Sequence, residues 1–188
     1  EQAALDAATL CLPTHGSNRA MAGAGAVASA VAEALSSDST LESVLDAARR
    51  GAVIAEKKGY PKGESRLLPM LDEMLALSTK TADDEKFLAE VFGKIEYSMD
   101  CEDTVAVVLT FFHRCGGDPM HAARLGANLG GDTDTIGAMA AALCGAYSGT
   151  AKLDMDMIRE IEQVNCVDFK EKARSILTFV SNTYNNKH

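Results

Sequence analysis

Tryptophan is absent from this chain of 188 residues, and aromatic residues make up only 5% of it. Since 47% of the residues are nonetheless hydrophobic, the core must be assembled from Ala, Leu, Val, Met and Ile, which suits closely packed helices. Also missing are runs in which β-branched or aromatic residues alternate with polar ones, the mark of half-buried strands. No CxxC pair occurs. The five cysteines, Cys11, Cys101, Cys115, Cys144 and Cys166, are odd in number and widely spaced, so neither a disulfide framework nor a zinc site is indicated, and a reducing, cytoplasmic setting fits best. Basic residues are outnumbered 18 to 27, leaving a net charge of −9; they are also scattered, so a nucleic-acid backbone would be repelled. The apolar-looking stretch from Ala20 to Ala34 is mostly Ala and Gly with Glu33 inside it, too short and too weakly hydrophobic to span a bilayer. No signal peptide is recognisable.

What is present is helical punctuation. A chain of this length fits one domain, able to bury roughly 70% of its unfolded surface without staples, and the pattern predicts an all-α fold. Glu1 to Cys11 reads as a helix without a start Met or a capping sequence ahead of it, so the chain is expected to be a piece of something longer. Pro13 and Gly16 break the pattern, and Ser17 or Asn18 can cap the Ala-rich helix that runs to about Leu35. Ser39 to Glu42 matches a capping box, followed by Leu41, Val44, Leu45 and Ala48 at helical spacing. A helix to about Thr79 carries Pro69 either in its first turn or as a kink, and Thr81 to Gly93 gives another. Glu102 and Asp103 place negative charge at the start of Thr104 to Arg114, where it complements the macrodipole. Asp118-Pro119 is a cap followed by proline at the first helical position, opening a helix that Gly130 ends. Asp154 and Asp168 are expected to cap the last two helices.

The densest chemistry lies in Gly130 to Gly137, GGDTDTIG, directly ahead of the small-residue run AMAAALCGAYSG. A helix with small residues on every side is expected to be central. Asp132 or Thr133 could simply be its N-cap, with Asp134 favoured by the dipole. Alternatively, two carboxylates and a hydroxyl crowded at a buried helix start would repel one another, and a hard cation such as Mg²⁺ or Mn²⁺ would relieve that. A calcium EF-hand loop is excluded, because Ile136 and Leu143 would fall at its fifth and twelfth positions. Spacing leaves cap and metal site both open.

GGDTDTIGAMAAALCGAYSG closely resembles the signature of the ADP-ribosylglycohydrolase family, enzymes that remove ADP-ribose from modified arginine, serine or related groups. Thr14-His15-Gly16, followed by Asn18 to Ala24, is similar to that family's TH loop and Ala-rich helix. The resemblance covers almost the whole chain, residues 1–188, as a single all-α domain: the C-terminal part of a compact, orthogonally packed multi-helix domain. It implies that Asp132, Asp134 and Thr135 hold a pair of Mg²⁺ or Mn²⁺ ions. His15, Gly16, Ser17 and Asn18 are then expected to meet the substrate, the imidazole hydrogen-bonding a ribose hydroxyl or phosphate. The family's other ligands, in a Thr-Asp-Asp motif, and its acidic residue near the scissile bond lie in an N-terminal portion that this chain lacks. Thr81-Ala82-Asp83-Asp84 only echoes that motif and reads as a cap. No catalytic residue is therefore assignable here. The implied activity is metal-dependent hydrolysis of the bond between ADP-ribose and a protein side chain or small molecule; the alternative is a non-catalytic binding or structural module, as in lens crystallins resembling this family. Of the remaining candidates, His113 and His121 are expected at the surface, Glu102 to Thr104 either cap a helix or approach the pocket, and Cys144 is expected to serve packing.

Overall fold

The computed structural model describes residues 1–95 and 100–185. Its helices fall into two compact units, Glu1–Lys152 and Leu153–His188. The first holds α1 (Gln2–Cys11), α2 (Asn18–Ala34), α3 (Leu41–Glu56), α4 (Leu67–Lys80), α5 (Asp84–Ile95), α6 (Cys101–Arg114), α7 (Pro119–Leu129) and α8 (Thr133–Ser148); the second holds α9 (Met155–Asn165) and α10 (Phe169–Asn185). The fold is all-α, and among the described residues the β content is one isolated bridge between Ser17 and Tyr60. No described helix is long and apolar enough to cross a membrane.

In the first unit α6 is the central helix, and every residue from Glu102 to Phe112 is buried. The sequence pattern pointed to α8 instead. The difference follows from area: the Val, Leu and Phe side chains around α6 gain far more from burial than the alanines around α8. Thus α8 buries only the face bearing Ile136, Gly137, Ala140, Leu143 and Cys144, while Asp134, Thr135, Ala138 and Ala142 stay exposed. Small residues act at the crossings. A Cβ on Gly51 would lie 2.3 Å from the Gly25 carbonyl oxygen, and one on Gly126 would lie 2.3 Å from the Gly137 Cα. The α2–α3 and α7–α8 pairs thus pack backbone to backbone.

Most helix starts obey the capping chemistry read from the sequence, with shifts of a residue or two. The box at α3 is formed by Thr40 and Ser43, which exchange reciprocal 3.0 Å hydrogen bonds, rather than by Ser39 and Glu42. Pro69 sits within the first turn of α4, where its missing N–H is not needed. Asp83 accepts from the Lys86 N–H at 2.9 Å, so the Thr81 to Asp84 stretch is indeed a cap. Asp118 accepts from the Met120 and His121 N–H groups at 2.9 and 3.0 Å. The cap of α6 is Asp100, ahead of the expected start, which draws Glu102 inside the helix.

In the second unit Asp154 accepts from the Asp156 and Met157 N–H groups at 3.0 and 3.1 Å, and Asp168 accepts from Glu171 N–H at 2.9 Å. Both act as the expected caps. Between them α9 stops at Cys166, which adopts a left-handed conformation at φ 51°.

Candidate functional site

The loop before α2 is fixed from both sides. Tyr60 donates its N–H to the Gly16 carbonyl at 3.0 Å, and Asn18 N–H donates back to the Tyr60 carbonyl at 2.9 Å. This two-way pairing needs an unusually close approach at Gly59, where an added Cβ would lie 2.3 Å from the Asn18 nitrogen. The Asn18 amide completes the clamp: it donates to the Gly63 carbonyl at 2.9 Å and to Glu56 at 3.3 Å, and accepts from Lys62 N–H at 2.8 Å. Ser17 accepts from Ala20 N–H at 3.3 Å and caps α2. Both side chains are buried and spend their hydrogen-bonding capacity on the loop itself. His15, by contrast, is exposed, with Nδ1 2.9 Å from the Thr14 hydroxyl.

The next residue along α2 ties that loop to the central helix. Arg19 donates from Nε to Glu102 and from a terminal nitrogen to Asp100, each at 2.5 Å. Glu102 is fully buried; its other oxygen accepts from the Ser65 hydroxyl at 2.6 Å and the Arg66 N–H at 2.9 Å. The hydrogen bond that Arg19 donates to Glu102 is the chief reason that the Arg19 pKa is raised further. A buried carboxylate survives only when paired and fully hydrogen-bonded, and here that requirement joins α2, α6 and the segment before α4. Glu102 is thus more than a helix-start charge, although it is committed to these partners.

Across from His15, α8 begins after Gly130 and Gly131, both at positive φ, 89° and 68°. Asp132 is its N-cap by position, yet its side chain makes no capping bond. Among the described residues, Asp132, Asp134 and Thr135 have no side-chain hydrogen bond or ion pair. Burial does not crowd these carboxylates, as the sequence reading supposed, because Asp134 and Thr135 are exposed and Asp132 is half-buried. What the structure provides instead is three unengaged hard-oxygen donors within four residues, a donor set suited to Mg²⁺ or Mn²⁺. Among the described residues no three His, Cys, Asp or Glu side chains converge as a metal site, so further ligands would be needed.

These two regions share a cleft of about 520 Å³. His15 lies on its wall together with Asp132 and Thr135, while the floor is formed by Gly23, Ala24, Val27 and Ala28 of α2 with Val105 and Met139. A mostly apolar hollow with a few convergent polar groups is the usual form of a small-molecule site. Gly16, Ser17, Asn18 and Asp134 do not line this cleft; Asp134 belongs to the exposed first turn of α8. A larger hollow of about 900 Å³ lies between α5 and α7, but two of its acids, Asp84 and Asp118, are already engaged. Asp84 pairs with Arg114 and His121, each at 2.7 Å, and Asp118 caps α7. His121, expected at the surface by default, is partly exposed, with its Nε2 within hydrogen-bond distance of Asp84. Cys144 is buried and its thiol is pushed up to about 12 by burial, which suits packing and not nucleophilic chemistry.

Comparison with known proteins identifies the family. A family model described as ADP-ribosylglycohydrolase matches residues 1–185. The chain is 30% identical, over 174 residues, to the uncharacterized protein YegU of Escherichia coli (strain K12), an alignment covering 93% of this chain and 52% of YegU. The chain thus spans about half the length of the curated relative it matches. No solved structure matches it. On the strength of a match that runs through both walls of the cleft, the chain belongs to the ADP-ribosylglycohydrolase family.

Proposed function

We propose that the complete protein hydrolyses the glycosidic bond between ADP-ribose and a modified protein side chain or small molecule, with this chain supplying one side of the site. The observation that supports it most is the cleft in which His15, from the loop before α2, meets Asp132 and Thr135 from the start of α8. Asp132, Asp134 and Thr135 would hold Mg²⁺ or Mn²⁺, two ions being the family's arrangement. Such ions, when bound, neutralise developing negative charge and lower the pKa of bound water.

The rest of the work falls to the chain's own groups. The exposed His15 imidazole is placed to hydrogen-bond a ribose hydroxyl or phosphate, and Gly16 carries the carbonyl that anchors the loop to Tyr60. Ser17 and Asn18 act by positioning, since their side chains hold the loop. The apolar floor excludes water around the few polar contacts, which strengthens each of them. The acidic residue at the scissile bond would come from the portion of the protein outside this chain.

The test is made on the complete protein. Asp132→Asn and Asp134→Asn are expected to abolish release of ADP-ribose from an ADP-ribosylated substrate and to remove calorimetric Mg²⁺ binding. Turnover retained in both variants would sink the proposal. Tight metal-dependent ADP-ribose binding without any product release by the unaltered protein would instead identify a non-catalytic binding module.

A further inference from the structure

A buried polar side chain normally has a hydrogen-bond partner, and one without needs a reason. In the first unit Ser17 and Asn18 hold the loop before α2, and Glu102 is held by Arg19, Ser65 and the Arg66 N–H. Asp103 accepts from Arg66 at 3.3 Å, and Thr110 donates to the Ala106 carbonyl at 2.8 Å. Among the described buried residues, Ser29 and Thr104 are left. Ser29 Oγ is sealed without a partner at the α2–α3 crossing, where a Cβ on Gly51 would lie 2.2 Å from it. No ligand can reach it there.

Thr104 differs. It stands in the first turn of α6 and is 9% exposed, yet among the described residues its hydroxyl has no hydrogen-bond partner, although a helical threonine commonly bonds back to the preceding turn as Thr110 does. Unlike Ser29 Oγ it is not sealed, and the opening beside it is the cleft, which Thr104 lines together with His15, Asp132 and Thr135. The surroundings narrow what it can meet. Val27, Val105 and Met139 are apolar, and no described Phe or Tyr lines the cleft on which a base could stack. Gly23 leaves bare backbone beside Val105, whose Cγ2 would lie 3.5 Å from an added Cβ. An aliphatic floor with one free hydroxyl suits a sugar ring, whose surface alternates C–H and O–H groups.

We propose that the Thr104 hydroxyl exchanges a hydrogen bond with a hydroxyl of the ribose that carries the scissile bond. The assignment rests on the hydrolytic reading, which sets that ribose beside the residues at the start of α8. Thr104 is then a binding and specificity residue: it rewards a ligand that brings a sugar hydroxyl to the floor of the cleft and gives nothing to one that ends at the pyrophosphate.

Calorimetric titration of the complete protein with ADP-ribose and with ADP, both in Mg²⁺, tests it, alongside urea unfolding. Thr104→Val keeps the shape and removes the hydroxyl; it should weaken ADP-ribose binding about tenfold, the worth of one hydrogen bond with its ligand partner left unpaired. Any binding of ADP, which lacks that ribose, should be unchanged. Thr104→Ser restores the hydroxyl and should bind ADP-ribose within about threefold of the parent. The unfolding midpoint of Thr104→Val should hold or rise, since the hydroxyl it loses has no partner within the protein. ADP-ribose bound by Thr104→Val as tightly as by the parent, a Thr104→Ser as weak as Thr104→Val, or an equal loss for ADP would each overturn the assignment while leaving the hydrolytic reading intact. So would a lowered midpoint in Thr104→Val, which would show the hydroxyl to be engaged inside the protein. A parent protein that binds no ADP-ribose would instead remove the hydrolytic reading, and this assignment with it.

Discussion

The α7–α8 crossing offers a substitution whose sign depends on which helix receives it. Gly126 and Gly137 face each other there, but a Cβ built on Gly126 lies 2.3 Å from the Gly137 Cα and 2.8 Å from its nitrogen. A Cβ on Gly137 meets the Gly126 Cα at 3.6 Å, ordinary contact. Both glycines are helical, so alanine at either gains about 1 kcal/mol of helix propensity. At Gly137 nothing opposes that gain, and Gly137→Ala should stabilise by up to about 1 kcal/mol. At Gly126 the obstacle is backbone, which cannot rotate aside, so the helices must part by about 1 Å. Overpacking of this kind costs about 2–3 kcal/mol when the obstacle is backbone, and Gly126→Ala should therefore destabilise by about 1–2 kcal/mol after the propensity gain. Urea unfolding followed by far-ultraviolet circular dichroism reads both, with an unchanged m value showing that stability alone has moved. In melting temperature the two variants should diverge by about 2–4 °C for each kcal/mol between them. Equal stability of the two variants, or a stabilised Gly126→Ala, would refute the backbone-to-backbone packing on which the start of α8 rests.

Other consequences can be measured alongside. Arg19→Met strands the fully buried Glu102 carboxylate and should cost about 3 kcal/mol in chemical denaturation; a loss below about 1 kcal/mol would mean that Ser65 and the Arg66 N–H suffice. Asp118→Ala removes two capping bonds and should cost about 1 kcal/mol. The Asp118 pKa is lowered, chiefly by the His121 N–H bond against a smaller effect of burial, so the capping contribution is complete above the ordinary carboxylate pKa of about 4. It fades as pH falls below that value towards the depressed folded pKa, and the gap between variant and parent should narrow below about pH 4. For Asp84, burial works against ionisation, but the hydrogen bonds from His121 and then Arg114 outweigh it and lower its pKa; Asp84→Asn should likewise lose its effect in acid. Asp132→Asn, whose side chain caps nothing, should change unfolding stability by less than about 0.5 kcal/mol.

How much was legible beforehand depended on whether a feature is local. Asp118-Pro119, Asp154 and Asp168 are capping signals that act within one helical turn, and the structure uses each of them. The box at α3 slipped by one residue because Ser39, Thr40 and Ser43 offer equivalent hydroxyls, and only the backbone decides among them. Helix α8 was misjudged because small residues allow close approach without requiring it, and only the Gly137 face meets a neighbour. The Arg19–Glu102–Ser65 junction was invisible, joining positions far apart whose individual spacings carry no signal. The same holds for His121 and Asp84, which meet across α5 and α7. The cleft was half readable. GGDTDTIG and the His15 loop each stood out as segments, but their meeting across α2 and α8 is a property of the fold.

The idle carboxylate of Asp132 has a practical side. Where a functional residue also locks a helix end, removing it disables and unfolds in one stroke, and the variant is useless as a control. Here the start of α8 is shaped by Gly130 and Gly131 and owes nothing to that side chain. An Asp132→Asn chain should consequently keep its shape, its solubility and its loop clamp intact. On the proposed hydrolytic reading, a loss of Mg²⁺ binding in the Asp132→Asn variant of the complete protein can therefore be assigned to the missing carboxylate and not to unfolding.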